Sequence, residues 1–296
     1  MAFTRITQSM MSRHSVDALQ LSLSRVARLQ EQLSTGRVLN RPSDSPTDTV
    51  AAMRIRSSIT DVKQYGRNAA DGTAWLGQID AALTAATDQV RRARDLALQG
   101  ANQGAMGQSA RDALATEVDQ IREGMVTTAN ASYLGRPVFG GVTAGPVAYD
   151  TAGNYVGTPG AVNRTVGVGV EIRVDLDGNA AFGAAGNSVF DHLTALSTAL
   201  RAGDQAGITA GIGALAGDLD RMTTAQAGVG TRQAKIESAG QAASDNGLTL
   251  SSSLSEVENA DLPKTVIDLQ LQQIAYQAAL GATARVMQPS LLDFLR

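Results

Sequence analysis

The chain has 296 residues, 43% of them hydrophobic but only 4% aromatic, and its formal net charge is −3. That charge is too small to indicate a nucleic-acid partner, and Arg91, Arg92 and Arg94 sit among Asp88 and Asp95 as on a solvated helix face. The absence of cysteine excludes disulfides, thiolate metal sites and thiol nucleophiles, and no run approaches the roughly 18 apolar residues that span a bilayer.

The opening MAFTRITQSMMSR lacks the apolar stretch of a secretory signal, so any export is expected to use another route. A first helix is predicted over about 7–35, with Leu19, Leu23, Val26 and Leu33 on one seam and Gly36 as its stop. Between Asn40 and Pro46, Pro42 and Pro46 flank Ser43, Asp44 and Ser45, which forbids helix and favours a fixed turn. Ser45 is the expected N-cap of the next helix, with Pro46 at its first position.

From about Pro46 to Gln99, Ile55, Val62, Ala69, Leu76, Leu83, Val90 and Ala97 recur every seven residues, the spacing that holds one seam against a partner helix. At 1.5 Å per residue this helix is roughly 80 Å long. A glycine-rich turn at 100–107 leads into a helix from about Ser109 that presents Leu114, Val118, Ile121, Met125 and Thr128. Short alternating runs follow, such as Val168, Val170, Ile172 and Val174, and Asp175-Leu176-Asp177-Gly178-Asn179 is expected to form a hairpin turn. Helix returns at Ser188 with Val189, Leu193, Leu196 and Leu200, and pauses at Gly203.

From Ile208 an alternation of four and three carries Ile212, Leu215, Leu219, Met222, Val229, Ile236, Ala243, Leu250, Leu254 and Val257. Gly211, Gly213, Gly217, Gly228 and Gly230 punctuate it, which leaves two readings: close helix–helix approach, or a break near 203–217. Asp261 and Pro263 form a second joint. A last helix to about Gln288 carries Leu262, Val266, Leu269, Tyr276, Leu280 and Met287 on its seam.

The expected architecture is mainly α, a nested antiparallel bundle of long helices with a small β-rich insertion. Residues 1–41 and 260–296 form a terminal helical pair, 42–141 and 188–259 a long-helix core, and 142–187 the β-rich part. Ile267, Leu271, Ile274, Leu291, Leu292, Phe294 and Leu295 lie off the terminal seam and remain apolar without a partner. Copies packed side by side would cover them, so these positions and the terminal seams are the candidate assembly interface. The terminal segments are expected to gain helix only on assembly.

No catalytic residues, cofactor or metal site are expected. The two histidines, His14 and His192, fall on separate helices, no nucleophile elbow or phosphate-binding loop is present, and position twelve of a calcium loop begun at Asp175 would be Gly186. A wall-degrading hydrolase, the rival from another class, lacks its paired carboxylates.

Leu33-Ser34-Thr35-Gly36-Arg37 followed by Asn40 to Pro46 resembles the turn after the first helix of bacterial flagellins and their relatives. Flagellins usually carry a charged Lys-Asp-Asp stretch here, whereas the Pro42 to Pro46 form looks like the hook-associated protein 3 branch. Thr4-Arg5-Ile6-Thr7, Phe139-Gly140-Gly141, Val189-Phe190-Asp191 and the ending Pro289 to Leu295 are similar to that branch as well. The resemblance implies a structural part of the flagellum at the hook–filament junction, exported unfolded through the flagellar type III apparatus with a chaperone on its C-terminal segment. Its implied partners are further copies of itself, hook-associated protein 1 and flagellin, with no nucleic acid and no membrane. The alternative is a flagellin that forms the filament itself.

Overall fold

The computed structural model describes residues 8–102 and 107–286. In chain order the elements are α1 (Gln8–Thr35), α2 (Pro46–Ala101), α3 (Gln108–Ala129), β1 (Ser132–Tyr133), β2 (Arg136–Pro137), β3 (Asn163–Gly167), β4 (Val170–Arg173), α4 (Gly178–Phe182), α5 (Val189–Ala202), α6 (Gln205–Glu258) and α7 (Leu262–Val286). The fold is mainly α, as expected, and divides into two compact units: residues 1–60 with 248–296, and residues 61–247.

In the inner unit the seven-residue repeat of α2 becomes a buried stripe: Ala69, Leu76, Leu83, Val90 and Ala97 are all in the core. α6 answers with its own strict sevens, Ile208, Leu215, Met222, Val229, Ile236 and Ala243, also buried. The two stripes run antiparallel. Gln205 reaches the carbonyl of Ala101 (3.1 Å) and Gln226 reaches Asp80 (2.9 Å). At Gly72 an added Cβ would lie 2.2 Å from Ile236 Cδ1, so absence of a side chain sets this close approach. α3 contributes Leu114, Val118 and Met125, and α5 contributes Leu193, Leu196 and Leu200.

The uncertainty over 203–217 resolves to a single break. Gly203 closes α5 in the left-handed region at φ +65°, and α6 then runs without interruption from Gln205. Of the glycines inside it, Gly211 packs on Leu196 (3.1 Å from an added Cβ), whereas Gly213, Gly217 and Gly230 meet nothing within 4 Å. Close approach therefore explains one of these positions and not the rest.

The segment between α3 and α5 contains two short antiparallel ladders, β1–β2 and β3–β4, and one helical turn, α4. The hairpin turn is not at 175–179. The chain reverses at Val168-Gly169, and Asp177 instead caps α4 by accepting from the Asn179 N–H. The reason is Asp175, fully buried, which accepts from the Val162 N–H and from Nε and Nη2 of Arg173, each at 2.8 Å, fixing the exit of β4. The alternation over Val168–Val174 fails toward the tip for the same reason: Val174 is buried beside that anchor, while Val168 is exposed.

The scarce aromatics are concentrated here. Phe139, Tyr149, Tyr155, Phe182 and Phe190 form a cluster with ring centroids 5.0–5.9 Å apart, mostly edge to face. Asn130, just past α3, ties the cluster to the helix by accepting from the N–H groups of Ala148 and Tyr149 and donating to the Tyr149 carbonyl. Of the histidines, His14 is exposed. His192 sits with Nδ1 2.7 Å from Asp218 and Nε2 3.0 Å from Asn187, and Asp218 also accepts from Arg221. Burial raises the Asp218 carboxyl above its ordinary value, against the pull of His192 and Arg221. This is a structural clamp between α5 and α6. No group of three or more His, Cys, Asp or Glu suited to a metal occurs among the described residues, and none of the described helices is long and apolar enough to cross a membrane.

Candidate assembly interface

The terminal unit is built from α1, the joint after it, the first turns of α2, the end of α6 and α7. α1 stops where expected: Gly36 takes φ +69° and its N–H returns to the Gln32 carbonyl. Pro42 and Ser43 lie exposed in the turn, and the Asp44 carboxylate closes it by accepting from the N–H groups of Asn40 (3.1 Å) and Arg41 (2.8 Å). Ser45 then accepts from the Asp48 N–H and Pro46 opens α2. At the second joint the Asp261 carboxylate accepts from the Lys264 N–H, and Pro263 occupies the first turn of α7. The joints are tied together: the Val38 N–H donates to the Glu258 carbonyl and the Ala260 N–H to the Gly36 carbonyl.

α1 packs against α7 through a stripe that keeps Leu19, Val26, Leu33, Leu269 and Tyr276 of the predicted seam and departs from it at Leu23, Leu262, Val266 and Leu280. Among the described side chains of α1 the covered ones are Ser15, Leu19, Ser22, Val26, Leu29, Glu31, Gln32 and Leu33, of which Val26 alone is buried. Those of α7 are Thr265, Asp268, Leu269, Gln272, Tyr276, Ala279 and Thr283. Ser22 lies three residues past Leu19 and Leu23 four, so either could face the partner. The hydrogen bond from Gln272 Nε2 to Ser22 Oγ, at 2.9 Å, accompanies the choice of Ser22. Leu23 is turned outward as a consequence, and so are Leu262, Val266 and Leu280 on α7. Half of each seam is therefore polar, and one neutral hydrogen bond contributes only about 1 kcal/mol.

The apolar residues that do not fit the seam line up outside it. Ile267, Leu271 and Ile274 are spaced four and three residues apart, one stripe along α7, and are 58%, 60% and 64% exposed. On α1, Met10, Val16, Leu21 and Leu23 are exposed as well. Both terminal helices exist in the single chain, contrary to the expectation that they gain helix only on assembly. Each supplies the other with a partner, and what the pair lacks is cover for its outer faces. Met287, Leu291, Leu292, Phe294 and Leu295 lie outside the described residues.

One feature of this unit was not read from the sequence. The joint encloses a cavity of about 380 Å³ lined by Arg37, Arg41, Pro42, Met53, Arg56 and Glu258, among others. Glu258 is 8% exposed at its side chain and is paired with Arg56 at 2.7 Å; Arg41 reaches back to Glu31 at 3.3 Å. The only available signal was Arg37, Arg41 and Arg56 on either side of the proline turn, without a spacing that marks a site.

The profile of the bacterial flagellin N-terminal helical region matches residues 6–144, and that of the flagellin C-terminal helical region matches residues 212–295, together about three quarters of the chain. Flagellar hook-associated protein 3 of Salmonella typhimurium is 24% identical over 99% of this chain and 100% of its own length. Flagellin FlaB1 of Treponema pallidum is 25% identical over 90% of this chain and 91% of its own. The crystal structure of Bacillus cereus FlgL is similar at a TM-score of 0.61 and 25% identity, covering 68% of this chain and 99% of FlgL. With both terminal helical regions present in their proper order, the chain belongs to the flagellin family.

Proposed function

We propose that this protein is a structural component of the bacterial flagellum, placed at the hook–filament junction as an adaptor between hook-associated protein 1 and flagellin. The observation that carries an assembling role is the terminal pair itself: its intramolecular seam is half polar while its aliphatic stripes face outward. An apolar stripe left uncovered along a helix marks a surface completed by other molecules. In this reading residues 1–41 and 260–296 form the inner layer of a tube, 42–141 and 188–259 the next layer, and 142–187 faces outward. The protein leaves the cell unfolded by the flagellar route, without a cleaved signal peptide, and a chaperone covers its C-terminal segment until delivery.

The similarity to hook-associated protein 3, which extends over the whole chain, and the Pro42 to Pro46 turn favour the junction over the filament. The filament reading has one observation of its own, the comparable identity to a flagellin. A deletion strain separates them. Intact hooks, no filaments and flagellin shed into the medium, all reversed by the gene, are expected. Filaments attached normally in the deletion strain overturn the junction reading. Purified protein that elongates a seed into long filaments favours flagellin.

A further inference from the structure

The joint cavity is charged in one direction. Arg56 is committed to Glu258, with Nη2 2.7 Å from Oε1, and Arg41 makes only a 3.3 Å contact to a half-exposed Glu31. Arg37 meets no carboxylate among the described residues. The recess of about 380 Å³ thus holds one guanidinium without a carboxylate, Arg37, and one, Arg41, held only by an exposed ion pair to Glu31, and together they can share one more anion.

Its rim is apolar. Met53 lines the cavity and is exposed, as are Val38 beside Arg37 and Val50 one turn before Met53. Arginine and methionine framed by exposed aliphatic side chains is the composition of a protein–protein contact rather than of a small-anion site. The two units also differ in charge. The terminal unit carries 11 Lys and Arg against 9 Asp and Glu, whereas residues 61–247 carry 14 against 19. A basic recess in the positive unit finds its complement on the negative unit of another molecule of the same chain.

We propose that Arg37 and Arg41 form a carboxylate-accepting site, filled on assembly by an aspartate or glutamate from the inner unit of a second copy. This rests on the assembling role proposed above, and it adds a polar, register-setting contact to interfaces otherwise made of aliphatic stripes.

Arg37→Lys places a primary amine in the recess. Hook–filament preparations are assembled from this variant in an equal mixture of ¹⁵N-labelled and unlabelled copies, then treated with a carbodiimide, which joins an amine directly to a carboxylate in contact with it. The expected product is a mixed-isotope peptide pair linking position 37 to an Asp or Glu between 61 and 247. A link to hook-associated protein 1, to flagellin or only within one copy overturns the proposal. In parallel, Arg37→Gln is expected to melt like the wild type and to be incorporated about 10–100-fold less, as the loss of a charge-assisted contact implies. Wild-type incorporation of Arg37→Gln, or a lowered melting temperature, also overturns it. If the wild-type chain itself is missing from such preparations, the junction reading fails instead.

Discussion

Replacing Ile267, Leu271 and Ile274 together by Asn tests the assembly argument most directly. These side chains are 58–64% exposed in the single chain, so each has already realised only about two fifths of its burial. Full burial of such a side chain contributes about 1.5–3 kcal/mol, which leaves about 1–2 kcal/mol per residue to be gained when a neighbour covers the stripe. Over three residues this is about 3–6 kcal/mol, or two to four decades in association constant at 1.4 kcal/mol per decade. Loss of the already buried portions is confined to the terminal pair, so the inner unit should melt as before. The assay measures incorporation of the variant into hook–filament preparations at graded protein concentrations, with circular dichroism of the dilute monomer as the control. A monomer that is folded and incorporates within threefold of the wild type refutes the reasoning, because the stripe would then have no partner.

Amide exchange in a dilute monomer should be fast over 8–35 and 262–286 and slow over the inner stripes of α2 and α6, since the terminal seam is half polar; equal protection of the two regions contradicts this. Gly217→Ala and Gly230→Ala should each stabilise the protein by about 0.5–1 kcal/mol in thermal or urea unfolding, because both sit in helix with nothing within 4 Å of an added Cβ; destabilisation points to a constraint from assembly or export. Asp191→Asn should cost about 1 kcal/mol at pH 7 through the capping box with Ser188. Hydrogen bonds from Ser188 hold the Asp191 carboxyl below its ordinary value of 3.8, so its contribution is complete above that value and is lost as the pH falls through the lower folded one. The stability difference between wild type and variant should therefore shrink below about pH 4; a constant difference down to pH 2 refutes this. Taking the difference removes Asp218, whose raised value acts in the opposite direction.

The long helices and their stops were legible because the signals are local and repeated. The sevens of α2, the Gly36 and Gly203 terminators and the Ser45-Pro46 start all depend on a few neighbouring residues. What the sequence concealed depends on partners far along the chain. Leu23 satisfies the periodicity as well as Ser22 does, and only Gln272, 250 residues away, distinguishes them. Asp175-Leu176-Asp177-Gly178-Asn179 has turn chemistry, yet Asp175 is claimed by Val162 and Arg173, and Asp177 becomes a helix cap. The arginines of the joint were invisible for a similar reason: Glu258, which completes their recess, enters from the far end of α6.

The Ser22–Gln272 bond also bears on when the protein can fold. α1 is synthesised well before its partner, so the terminal pair has no counterpart to close on until Gln272 has left the ribosome. The α2 stripe waits likewise for residues 208–243. Such wide sequence separation delays these pairings until both partners have been made. A growing chain of this kind stays open for longer, and on the export route proposed above it would be threaded before its terminal pair has closed.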